Sequence, residues 1–124
     1  MLKHTIIFFT IFLAYACETD LNGSLDGNHT VEVQVYHHIV PAPFTEVYLM
    51  EDVDEYPGDD LSKYHIKATA DISGVAILSK VFPGEHWLYG RGYDGVDSVF
   101  GNKPIYIDPR DSDKRSKIIF LISE

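Results

Sequence analysis

Val31, Val33 and Val35 alternate with Glu32, Gln34 and Tyr36, the period of a strand with one face in a core. The same period recurs at Val47 and Leu49, through Tyr64, Ile66, Ala68 and Ala70, and at Ile105 and Ile107. Between them, residues 71–92 read DISGVAILSKVFPGEHWLYGRG, two β-rich runs on either side of Pro83-Gly84. Proline presets φ at the second position of a type II turn and glycine accepts φ > 0 at the third, so the two runs are expected to pair as a hairpin. In that register Ala76, Leu78, Val81, His86 and Leu88 face inward. Val75, Ile77, Trp87, Tyr89 and Arg91 then share the outer face.

Further on, Tyr93-Asp94-Gly95 reads as a turn, residues 96–100 as a short strand or loop, and Gly101-Asn102 as another turn. Residues 110–117, RDSDKRSK, form a charged loop. Residues 118–122 are almost continuously apolar, which fits a strand buried on both faces or a covered edge. No stretch sustains a helical period. Seven or eight short strands with regular turn signals predict an all-β fold, an antiparallel β-sandwich over residues 31–124.

The first residues change the picture of where such a domain sits. MLKHTIIFFTIFLAYAC carries a basic start, an apolar core over 6–13 and small residues Ala14 and Ala16 before Cys17. The apolar run is shorter than the ~20 residues a membrane span needs, so residues 1–16 read as a signal peptide. Cys17 is the only cysteine, which excludes an intrachain disulfide. Leu13-Ala14-Tyr15-Ala16-Cys17 resembles a lipobox, which implies lipid attachment at Cys17 and a membrane partner through that lipid. The alternative is an ordinary cleavage site with an incidental thiol. Glu18 and Asp20 resemble the surface-export signal of Bacteroidetes lipoproteins, which implies an outer-membrane anchor and an outer-face location. Residues 17–30 are rich in Gly, Asn, Asp and Ser and read as a flexible tether.

Gly74-x-Ala76-x-Leu78-x-x-Val81-x-Pro83-Gly84-x-His86-x-Leu88 resembles the signature of transthyretin-like (prealbumin-like) sandwich domains. These include the carboxypeptidase regulatory-like domains and the B repeats of Gram-positive surface proteins. The resemblance spans residues 31–109 and implies their sandwich topology. His86 stands where those families usually carry tyrosine. The hydroxyisourate hydrolases of this scaffold end in Tyr-Arg-Gly-Ser, whereas this chain ends Phe-Leu-Ile-Ser-Glu, so their activity is not implied. An internal Lys–Asn isopeptide is not expected either, because the first strand lacks Lys and the last lacks Asn.

Charge narrows the partners. The chain has 10 basic and 19 acidic residues; loss of Lys3 with the signal peptide leaves 9 against 19, a net charge of −10. Such a chain has no basic track for phosphates, which argues against nucleic acid and against adhesion to anionic headgroups. Residues 51–60, EDVDEYPGDD, concentrate acids. Asp52, Asp54, Glu55, Asp59 and Asp60 offer oxygen ligands for calcium, although their spacing is not that of an EF-hand, and a solvated loop is the commoner outcome. His37 and His38 would point to opposite faces of an extended strand and so are not expected to share an ion. No nucleophile elbow, metalloprotease helix or phosphate loop is present, so no enzyme and no cofactor are expected. The expected role is a lipid-anchored binding or structural accessory module of the cell envelope. A carbohydrate-contacting module using exposed aromatics, or a small hydrolase, remain the alternatives. Trp87, Tyr89, Arg91, Val75 and Ile77 form the candidate surface for a protein or glycan, unless the acidic loop, the tether or the last strand covers it.

Overall fold

The computed structural model describes residues 27–124. The signal peptide, Cys17 and all of the tether before Gly27 lie outside the described residues. The strands are β1 (His29–His37), β2 (Val40–Pro41), β3 (Glu46–Glu51), β4 (Ile66–Thr69), β5 (Val75–Val81), β6 (Gly84–Asp94), β7 (Asp97–Ile107) and β8 (Arg115–Ile122). They form two four-stranded sheets. In the first, β1 is central, with β8 along one edge and β5 followed by β2 along the other. The second runs β4-β3-β6-β7. The architecture is that of a two-sheet β-sandwich.

The alternation that predicts the strands also fixes what they bury. Val31, Val33 and Val35 of β1 are wholly buried, as are Val47 and Leu49 of β3. From β5 come Ala76, Leu78 and Val81, from β6 Leu88, from β7 Ile105 and Ile107, and from β8 Phe120 and Ile122. Leu78 and Val81 are three residues apart, yet both point inward. The register against β1 slips between His29 and Val31, and Lys80, at φ 59°, absorbs the extra residue as a bulge.

The expected hairpin does not form. β5 pairs with β1 in one sheet, whereas both edges of β6 are occupied by β3 and β7 in the other. Pro83-Gly84 therefore carries the chain from sheet to sheet, with Gly84 at φ 121°, a conformation that favours glycine. The inward set predicted for the two runs is nevertheless buried: Ala76, Leu78, Val81 and Leu88 share the core between the sheets, and His86 is buried on β6.

Four more expectations need correcting. The sandwich is not purely antiparallel, because β8 runs parallel to β1 from Thr30↔Arg115 to His37↔Ile122. β8 is not buried on both faces: Ile119 and Leu121 are exposed on its outer side. Gly101-Asn102 is not a turn but lies within β7, where a Cβ on Gly101 would come within 2.6 Å of the Leu121 carbonyl. Glycine there marks a close approach of β7 to β8, just past whose end the chain bridges β7 at Phe100↔Ser123. Finally, β1 runs from His29 to His37, and His38 at φ 60° ends its extended run. That left-handed residue cancels the alternation, and the His37 and His38 rings lie 4.2 Å apart.

Candidate functional site

The outer face of the second sheet gathers most of the aromatic side chains that β3 and β6 turn away from the core. Tyr48 sits opposite Tyr89, Met50 opposite Trp87 and Glu46 opposite Arg91. On the other flank of β6, Asn102 sits opposite Tyr89 and Pro104 opposite Trp87. Cross-strand neighbours on one face touch, so these pairs build a continuous surface.

The connection between β3 and β4, which holds the acidic stretch, folds back over part of this face. Tyr64 is buried and meets Tyr48 edge-on at 6.2 Å and Tyr89 at 6.0 Å, with Met50 and Leu61 packed alongside. The Tyr64 hydroxyl donates to the Gly58 carbonyl at 2.7 Å, which secures the loop over the ring. Asp60 accepts from the backbone N–H and hydroxyl of Ser62 and so starts a short 3-10 turn, Leu61–Lys63. Tyr89 is consequently buried at 7% exposure and is not an accessible contact residue.

Trp87 stays at the rim of this cover, half-buried. Its Nε1–H donates to Asn102 Oδ1 at 3.0 Å, which orients the indole. Tyr56 from the acidic loop lies 6.3 Å away with its ring tilted by 45°, and is 45% exposed. Arg91 is exposed and donates from Nε to Glu46 Oε1 at 2.9 Å; the Tyr48 hydroxyl donates to the same oxygen at 3.0 Å. The Arg91 hydrogen bond, then that of Tyr48, holds the Glu46 carboxyl below the usual range.

Val75 and Ile77 do not join this surface. They lie on β5, on the outside of the opposite sheet, where β1 and β8 also present Tyr36, Ile119 and Leu121. The five-residue patch is therefore split between two faces of the sandwich, a direct result of the Pro83-Gly84 crossing. Nor do the acids converge. Among the described residues, no three of Asp52, Asp54, Glu55, Asp59 and Asp60 bring donor oxygens within 4.8 Å of one another. The loop is spread across the tyrosines and is not wrapped around a point. Tyr56, Tyr48 and Asn102 belong to the face and were not among the residues expected from sequence. Their parity or loop position is legible, but their strand partners are not.

Burial pushes the Tyr64 hydroxyl up to about 12, with the Tyr56 and Tyr89 hydroxyls and Asp59 adding to it. A raised folded value makes its contribution to stability complete below the ordinary tyrosine value near 10, and lost as pH climbs towards 12. In a spectrophotometric alkaline titration, Tyr64→Phe is expected to remove the last tyrosine transition and to reduce the accompanying alkaline loss of stability, to which Tyr48 and Tyr89, also raised by burial, contribute. Amplitude lost from the ordinary transition near 10, with the last transition intact, would mean that Tyr64 is not buried against Tyr48 and Tyr89.

No family model matches the sequence, and no curated protein matches it. Among solved structures, the chain is similar to a Pseudomonas aeruginosa protein proposed to bind carbohydrate. The TM-score is 0.50 at 12% identity, over 78% of this chain and 90% of that one. At that identity the likeness bears on the all-β fold alone.

Proposed function

We propose that this chain is a non-catalytic, lipid-anchored module of the cell envelope that binds carbohydrate on the outer face of the β4-β3-β6-β7 sheet. The observation that carries the reading is the pair of tilted rings, Trp87 and Tyr56, 6.3 Å apart on a face where the neighbouring tyrosines are covered. A sugar ring presents C–H groups on its faces and hydroxyls around its edge. An amphipathic aromatic accepts the faces, while polar groups such as Asn102 and the Arg91–Glu46 pair suit the hydroxyls. The structural neighbour's proposed carbohydrate binding supports this choice of ligand over a peptide. A net charge of −10 favours a neutral glycan over an anionic one. The sandwich is inferred to be of the transthyretin-like kind, on the strength of the residues 74–88 signature.

Titration with a panel of neutral oligosaccharides, followed by tryptophan fluorescence and calorimetry, tests the site. Trp87→Ala is expected to weaken binding by about 2 kcal/mol, the scale of a binding hot spot, with Tyr56→Ala weakening it less. Equal affinity in wild type and Trp87→Ala, or no binding across the panel, would remove glycan recognition from this face.

The anchor rests on Cys17 and the lipobox-like residues before it, and its expected location is the outer membrane, facing outward. Several acyl chains hold a protein stably where one binds only marginally. Cys17→Ser is expected to move the protein from the membrane fraction to the soluble fraction. Retention in the membrane would show that the lipid is not its attachment.

A further inference from the structure

The two neighbouring turns at one end of the sandwich bring together a side-chain group unrelated to the aromatic face. We propose that His37, His38 and Glu124 bind a divalent transition-metal ion of the Zn²⁺ class, with Asp94 supporting the ligand histidine from behind. Donor atoms of the first three lie within 4.8 Å of one another. Tetrahedral zinc with bonds of 2.0–2.2 Å spaces its ligands by about 3.3 Å, so the group is within a small adjustment of that spacing. His38 and Glu124 are exposed and free to adjust, whereas His37 is 8% exposed and held in the fold.

His37 supplies the second, independent observation. Its Nε2 is fully buried and has no hydrogen-bond partner among the described residues. Glu124 Oε2 lies only 3.0 Å away, but out of line for a hydrogen bond. A buried ring nitrogen beside a carboxylate that does not hydrogen-bond to it leaves both groups available to a common third atom. The other nitrogen, Nδ1, lies 3.2 Å from Asp94 Oδ2. At that distance Asp94 is placed to accept a hydrogen bond from Nδ1–H once the site tightens, which would leave the Nε2 lone pair for a metal, the support that ligand histidines ordinarily have.

The chain arrives at this arrangement by a local route. An extended His37-His38 pair would point to opposite faces, but His38 at φ 60° turns the chain towards β2, and the rings lie 4.2 Å apart. Asp94 arrives from the end of β6 and Glu124 from just beyond β8. Two imidazoles and a carboxylate suit a borderline transition metal better than calcium, which prefers oxygen alone. Beside them is a cleft of about 360 Å³, lined in part by Pro41, Pro43 and Tyr93. A fourth coordination position facing that cleft is open to water or to a small ligand.

The test uses the untagged mature protein, titrated with ZnCl₂ against a chromophoric chelator, with Co²⁺ as a spectroscopic probe of the ligands. Stoichiometric Zn²⁺ binding is expected, with a Co²⁺ spectrum of nitrogen and oxygen ligands and no thiolate charge-transfer band. His38→Asn keeps a residue that tolerates the left-handed backbone, and Glu124→Gln keeps the side-chain shape. Each is expected to weaken Zn²⁺ binding at least about tenfold while circular dichroism stays unchanged. His65→Ala, remote from the group, is expected to bind as wild type does. Absence of Zn²⁺ binding by the wild type would mean that the carboxylates serve only as neighbours of His37, and would overturn the proposal. A thiolate band from Cys17, or undiminished affinity in both His38→Asn and Glu124→Gln, would overturn it equally.

Discussion

Leu78→Ala is expected to lower the unfolding free energy by about 2–5 kcal/mol, the range for removing a fully buried leucine from a close-packed core. Leu78 is 1% exposed, and it sits beside Val31 in the register of β5 against β1. Its side chain spans the gap between the sheets, where the opposing wall is built by β3, β6 and β7. Domains of this size are stable by only about 5–15 kcal/mol, so the variant would stand near the edge of folding at ambient temperature. Urea denaturation followed by far-ultraviolet circular dichroism measures the loss. A change below about half a kcal/mol would place Leu78 outside the core and reverse the parity of β5.

His86→Leu is the second large effect, expected to cost about 2–4 kcal/mol although it exchanges a polar core residue for an apolar one. His86 is 2% exposed, and both ring nitrogens are used. Nε2 lies 2.6 Å from the Phe82 carbonyl and so donates to it, which leaves Nδ1 to accept the Asp52 backbone N–H at 3.0 Å. These partners assign the neutral tautomer with its proton on Nε2. Leucine would fill the space but leave a carbonyl and an N–H unpaired. Glu51 adds to the same junction, accepting the Phe82 N–H at 2.6 Å. The turn that crosses between the sheets and the start of the acidic loop are thereby tied to one another. This buried histidine thus has a structural task, and Asn at this position, with a shorter reach, is expected to rescue little of the loss. Denaturation midpoints of the Leu and Asn variants against wild type check it; a Leu variant as stable as wild type would show that the two bonds contribute nothing.

What a sequence reveals here is set by the range of the cause. Side-chain parity is local: it depends on period two alone, so Ala76, Leu78, His86 and Leu88 are legible as inward whichever strand lies beside them. Pairing is not local. Whether Pro83-Gly84 closes a hairpin or crosses the sandwich depends on β3 and β7 already occupying both edges of β6. The error therefore falls on the surface patch, whose Val75 and Ile77 are carried to the far side, and spares the core. Tyr89 is similar, because its parity is outward and only Tyr64, 25 residues earlier in the chain by number, covers it. The His37–His38 arrangement turns on a single left-handed residue that nothing in the residue types announces. Its carboxylate partners come from two other strand ends.

The parallel pairing of β1 with β8 governs the order in which this protein can assemble. The ion pair from Arg115 to Glu32 at 3.1 Å joins residues 83 apart in the chain. The central strand of the first sheet is synthesised early, yet one whole edge of it waits for the last strand to appear. Until then β1 presents unsatisfied N–H and C=O groups along an alternating valine strand, a surface on which other chains can add. Closing so long a loop before its contacts form places folding among the slow, millisecond-to-second β proteins. On the ribosome, too, the sheet is completed only after β8 has emerged, so any pause in synthesis before it prolongs the exposure of β1.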